Sequence, residues 1–116
     1  MVLEWKKCYL NVPLNETGIQ DHEYDTDMSN IYTVTLDTKE YDLLSDVFHE
    51  WNQKFDIIID IFEDETLNAA SCSEAMIILD NHINQNNNED FRKAAQKLKL
   101  ALSKAIQLNM PLFLDF

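Results

Sequence analysis

Chain breakers are nearly missing from this sequence, and their scarcity limits what it can build. Its 116 residues include one glycine, Gly18, and two prolines, Pro13 and Pro111. All three fall outside the segments with hydrophobic periodicity. A chain this poor in breakers predicts a mainly helical fold.

The strongest periodicity begins after Asp37, which offers an N-cap with Glu40 three residues on, close to a capping box. Stepping 100° per residue from Tyr41 onward, Leu43, Leu44, Val47, Phe48 and Trp51 gather on one face, and Asp42, Asp46 and Glu50 on the other. Phe55, Ile58, Ile59, Ile61 and Phe62 extend the apolar face; Asp56, Asp60, Glu63 and Asp64 extend the acidic one. The run from Phe55 to Asp64 also resembles a buried strand, but its phase continues that of the preceding half. One helix is therefore expected from Thr38 to about Thr66, about 40 Å long at 1.5 Å per residue. Asn52-Gln53 is the place for a kink. Ser71 with Glu74 predicts a capping box opening a helix through about His82. Asn88 caps the last helix, whose apolar stripe includes Phe91, Ala94, Ala95, Leu98, Leu102, Ala105 and Ile106. Asn109 and Pro111 end it.

The remaining segments are short. Asn30–Leu36 (NIYTVTL) is β-branched and aromatic and reads as a strand, as does Leu112–Phe116. They are expected to pair with each other or with the N-terminal segment carrying Trp5, Tyr9, Leu10, Val12 and Leu14, itself a short strand or an irregular core-packing arm. Asn15–Met28, with Asp21, Glu23, Asp25 and Asp27 around Tyr24, reads as a loop. The expected fold is mainly α: one domain over residues 1–116, a small bundle of three to four helices with one or two short terminal β-strands.

A hydrophobic content of 46% is enough for a globular core without disulfide staples. Cys8 and Cys72 lie far apart without metal spacing and read as free thiols of a reducing cytosol. The N-terminus has no apolar run behind its lysines, and no segment is long enough to span a membrane. A cytoplasmic protein is expected.

Charge is distributed very unevenly. Between Cys8 and Phe91 lie nineteen of the twenty-one carboxylates and only two bases, Lys39 and Lys54. From Arg92 to Lys104 there are five bases and no acid. A field of this sign repels nucleic acid and anionic membrane and attracts a basic partner. Like charges spaced four residues apart on a helix are unfavourable, and a basic partner would remove that repulsion. The partner-binding residues expected from this reasoning are Asp42, Asp46, Glu50, Asp56, Asp60, Glu63 and Asp64, with Tyr24 as an aromatic contact beside Tyr32 and Tyr41.

No catalytic constellation emerges. One glycine leaves no phosphate-cradling loop and no dinucleotide fingerprint. Asp46-x-x-His49-Glu50 groups three metal-ligand types, but bundle di-metal sites need a Glu-x-x-His on two helices, and no calcium loop is present. Carboxylates on a solvated stripe lack the burial that separates an acid from a base. Cys72, just inside a helix N-terminus, has a route to a lowered pKa, but a buried or incidental thiol is the expected reading. The bases of the last helix read as a balance for the acids or as a solvated face. No cofactor, no metal and no enzymatic activity are expected.

Ile57–Leu67 (IIIDIFEDETL) with Ser73–Leu79, and Leu98–Ile106 with Pro111–Phe116, resemble the small acidic immunity proteins of bacterial polymorphic toxin and contact-dependent growth-inhibition systems. The resemblance covers about the last 75 residues. It implies a cytoplasmic protein that binds a cognate toxin domain one to one and neutralises it, the toxin being most often a basic nuclease acting on RNA or DNA. It carries over no catalytic residues. A general DNA mimic, an adaptor or chaperone for another basic protein, and a metal-binding helical enzyme are the alternatives.

Overall fold

A computed structural model describes residues 6–24 and 28–116. Trp5, Asp25 and Asp27, named above, lie outside them. The alternation in the N-terminal segment KCYLNVP decides the architecture. Cys8, Leu10 and Val12 are fully buried while Lys7 and Tyr9 are exposed, so the segment is a strand, β1 (Lys7–Pro13). It pairs antiparallel over its whole length with β2 (Ile31–Asp37). Its other edge pairs with β4 (Leu112–Asp115), which in turn pairs with β3 (Asp64–Leu67). The result is a four-stranded antiparallel sheet of order β2-β1-β4-β3.

This overturns the expected bundle with one or two terminal strands. The protein is a mixed α/β fold, and the scarcity of glycine misleads for a topological reason. Every connection between consecutive strands runs through helical segments, so no tight hairpin turn is needed. The strands read at Asn30–Leu36 and Leu112–Phe116 both exist, each paired with β1 rather than with the other.

One sheet face is apolar. Leu10, Leu36, Leu67, Leu112 and Leu114 are buried there with almost no exposure. α5 (Glu89–Leu108) lies across β1, β2 and β4. Against α5 pack α2 (Thr38–Leu43) and α4 (Cys72–Gln85), and α3 (Ser45–Phe55) packs on α4. Trp51 of α3 is fully buried, and its indole N–H donates to the Ala75 carbonyl at 3.2 Å. That bond satisfies the only polar atom of a large core side chain.

Two of the three expected caps form. The Asp37 carboxylate accepts from Glu40 N at 2.7 Å, and Asp37 N donates back to Glu40 Oε1 at 3.0 Å. Asn88 Oδ1 accepts from Phe91 N at 2.9 Å. Ser71 makes no side-chain cap bond; it closes a single 3-10 turn, Ala69–Ser71, that leads into α4. α5 ends at Asn109 in the left-handed conformation (φ 53°), and Met110 N donates to Ala105 O at 2.9 Å.

The single long helix from Thr38 to Thr66 does not exist. α2 and α3 are separated at buried Leu44. α3 then stops at Phe55, where Asp56 turns left-handed (φ 55°). Beyond it Ile57, Ile59 and Ile61 face inward and Ile58, Asp60 and Phe62 outward, the period of an extended chain. Three successive β-branched isoleucines crowd a helical turn but suit extended backbone. Asn52 fixes the change of course: its Oδ1 accepts from Ile59 N at 2.7 Å, and its amide reaches Ile59 O at 3.4 Å.

Asn15–Met28, expected as a loop, contains a helix, α1 (Glu16–Tyr24). Asn15 Oδ1 accepts from Gly18 N at 2.9 Å and starts it. Gly18 lies where a Cβ would approach the Asn30 carbonyl oxygen to 2.4 Å. The chain's one glycine thus lets α1 press against the start of β2. α1 sits on the sheet face opposite the other helices, because His22 stacks on Phe113 (centroids 3.8 Å apart, planes at 5°), which alternates with inward-facing Leu112 and Leu114.

Candidate partner-binding surface

The seven acids expected on one helical stripe are divided among four elements. Asp42 is on α2, and Asp46 and Glu50 are on α3; Asp56, Asp60 and Glu63 belong to the connection to β3, and Asp64 opens β3. All seven are exposed. Glu50 accepts from His82 at 2.9 Å. The carboxylates of the other six form no ion pair or hydrogen bond with a described residue. Tyr24 is exposed at the end of α1, on the far side of the sheet from α3.

The five bases of α5 are already engaged. Lys97 bridges to Glu40 at 2.8 Å, Lys99 to Asp80 at 2.9 Å and Lys93 to Glu89 at 3.5 Å. Arg92 donates to the Ile83 and Asn86 carbonyls, and Lys104 lies over the Tyr32 ring. The positive helix therefore compensates acids of α2, α4 and its own first turn, and leaves Asp56, Asp60, Glu63 and Asp64 without an ion pair to a described residue.

Asp56, Asp60 and Glu63 flank in sequence the most exposed apolar side chains of the 56–63 connection. Ile58 is 70% exposed and Phe62 66%. The helical wheel assigned both to the core. The backbone beneath them is held in place. Asn52 grips Ile59, and Glu65 Oε2 accepts from Ile58 N at 2.9 Å while its Oε1 accepts from Thr66 N at 2.9 Å. Ile59 is buried, and Ile57 and Ile61 pack on the core. Phe62 is met by a cation from within the chain, Lys6 Nζ, 5.3 Å from the ring centroid. A fixed loop thus presents two exposed apolar side chains that alternate along the chain with the exposed carboxylates of Asp56, Asp60 and Glu63.

Beside this loop runs a groove bounded by Tyr41, Asp46, Phe48, His49, Asn52 and Ile59. The Tyr41 hydroxyl is pushed above its ordinary 10.0, first by burial and then by the charges of Asp60, Cys8 and Asp42. The charges of Asp42, the next residue along the chain, and of the sequence-distant Asp60 thus both reach Tyr41. The structure brings together this part of the expected stripe; Asp64 and Tyr24 are placed elsewhere.

Asp64 belongs to the outer sheet face. In register, Thr35, Tyr9, Asp115 and Asp64 form one row across the four strands, and Thr33, Asn11, Phe113 and Thr66 the next. A polar chain joins the rows. Thr33 Oγ1 donates to Asn11 Oδ1 at 2.6 Å, and Asn11 Nδ2 donates to Asp115 Oδ2 at 2.7 Å. His22 reaches the same oxygen through Nε2 at 2.6 Å. A cleft of about 480 Å³ opens over these residues, with Tyr9, Met28 and Asp64 at its sides. Sequence reasoning missed this site because its members are up to 104 positions apart.

Other candidates are accounted for by packing. Asp46, His49 and Glu50 do not converge: His49 contacts Gln53 and Glu50 contacts His82. Among the described residues no three His, Cys, Asp or Glu side chains are arranged to hold a metal ion. Both cysteines are buried and unpaired. Cys72 is the buried thiol expected, and burial pushes it up to about 11 rather than letting the helix N-terminus lower it. No described helix is long and apolar enough to cross a membrane. Comparisons with protein-family models, curated proteins and solved structures return no match.

Proposed function

We propose that this chain is an immunity protein: it binds a basic bacterial toxin domain, a nuclease, one to one in the cytoplasm and neutralises it. The observation that carries the reading is the 56–63 loop, where Ile58 and Phe62 stand exposed among carboxylates that form no ion pair with a described residue. Interfaces combine apolar anchors that exclude water with a charged rim. The rim steers a basic partner, and the anchors hold it once docked. Pinning by Asn52 and Glu65 lowers the entropy lost when the loop is ordered on binding. The acids meet the basic groove that a nuclease offers to phosphates, and so cover the surface its substrate needs.

The test is coexpression with the toxin domain encoded directly upstream. Wild type restores growth, and the purified pair forms a one-to-one complex. The double variant Ile58→Ser/Phe62→Ser loses roughly thirty-fold in affinity, about 2 kcal/mol. Its unfolding free energy in urea stays within about 0.5 kcal/mol of wild type, because both side chains are already mostly solvated. Full protection by the double variant would place the interface elsewhere. Failure of wild type to restore growth would refute the function itself.

A further inference from the structure

The outer sheet face carries an arrangement that sheets avoid. Asp64 and Asp115 are direct register partners on neighbouring strands, with side chains on the same face. Opposed residues in an antiparallel pair have Cα atoms about 4.5–5.5 Å apart, and like charges there repel. Compensation is one-sided. Asp115 Oδ2 takes the bonds from His22 and Asn11, while Asp64 has no partner among the described residues. Neither lysine beside β1 relieves it: Lys6 lies over Phe62, and Lys7 forms no ion pair with a described residue.

This carboxylate pair borders the 480 Å³ cleft, whose flanks include Tyr9 and Met28, 43% and 48% exposed. Negative charge within, an aromatic face and a thioether at the side, and a floor amide already satisfied define one kind of guest. It is a cation with an apolar stem. A guanidinium fits better than an ammonium. It is planar, is weakly hydrated, stacks on an aromatic ring and forks its donors to two carboxylates at once.

We propose that this cleft receives an arginine side chain, its guanidinium bridging Asp64 and Asp115 against Tyr9. The partner supplying that arginine is the basic protein proposed above, and in this respect the inference rests on that reading. Phe62 lies two residues before Asp64, so an arginine in the cleft and an apolar contact on the loop suit one docked surface.

The test uses the full chain alone, isotopically labelled for amide NMR and titrated with N-acetyl-arginine amide or with N-acetyl-citrulline amide, its neutral isostere. Saturable shifts at the amides of Tyr9, Asn11, Thr33 and Asp64 are expected with arginine, and affinity about ten-fold weaker with citrulline. Asp64→Asn should abolish the preference for arginine while raising the urea midpoint, because it removes the cross-strand repulsion. Shifts that do not saturate, equal affinity for the two amides, or an unchanged preference in Asp64→Asn would each overturn the proposal. Because no toxin enters this experiment, loss of the cleft and loss of the immunity function are read independently.

Discussion

Asn52→Ala removes the side chain that turns a helix end into a presented loop. Two bonds are lost, Ile59 N to Oδ1 at 2.7 Å and Nδ2 to Ile59 O at 3.4 Å. The first is short, and a net bond of this kind contributes about 1 kcal/mol; the second is at the limit of bonding and contributes less. Ile59 is buried, so its amide is hydrated only partly once Asn52 is gone, which adds part of a further ~1–3 kcal/mol. The expected loss is about 2 kcal/mol, a fall in Tm of roughly 8 °C for a domain of this size. Urea unfolding should show a lower midpoint with unchanged slope. Hydrogen exchange should show protection falling most at Ile59. Asn52→Asp keeps the 2.7 Å acceptor and loses only the weak donor, so it should cost less than half as much. Equal losses in the two variants, or a change under about 0.5 kcal/mol in Asn52→Ala, would refute Asn52 as the anchor.

Gly18→Ala should destabilise by about 1–3 kcal/mol despite the better helix propensity of alanine, because the new methyl meets the Asn30 carbonyl oxygen at 2.4 Å; urea unfolding measures it. Stability should also fall in alkali. The Cys72 pKa rises from its ordinary 9.0 to about 11 on folding, so folding favours the neutral thiol. Its contribution is whole below pH 9 and is lost as pH climbs to about 11, about 2–3 kcal/mol in all. Cys72→Ala should flatten that slope in pH-dependent unfolding, and an unchanged slope would sink the assignment. Cys8 and Tyr41, also raised by burial, retain a remainder.

Local signals were legible where one period or one cap dominated. Asp37 with Glu40, Asn88, Asn109 and the stripe of α5 announced themselves, as did the β-branched Ile31–Leu36. The segment from Phe55 to Leu67 did not, because its apolar residues satisfy both a period of 3.6 and a period of two. Continuity of phase with α3 favoured helix, whereas the pairing that decided the matter, Thr66 with Phe113 and Leu67 with Leu112, is long-range. α1 is polar nearly all round and is held by tertiary contacts, His22 on Phe113 and Gly18 against Asn30. Those contacts leave no mark in the local sequence. The one-signed charge of the acids was legible, but their division among α2, α3, a loop and β3 depended on the same unseen strand.

The register that places Tyr9 opposite Asp115 also has a consequence in time. A ribosome makes β4 about a hundred residues after β1. At about 5–20 residues per second, β1 waits on the order of 5–20 s for its second neighbour. During that interval the nascent sheet has only β1 and β2, β3 has nothing to pair with, and Asp115 has not been made. Helices α2 to α5 are local and can form as they emerge, but the layer they cover is completed last. A translation pause or truncation ahead of Leu112 would therefore remove the whole outer-face cleft, not merely one strand.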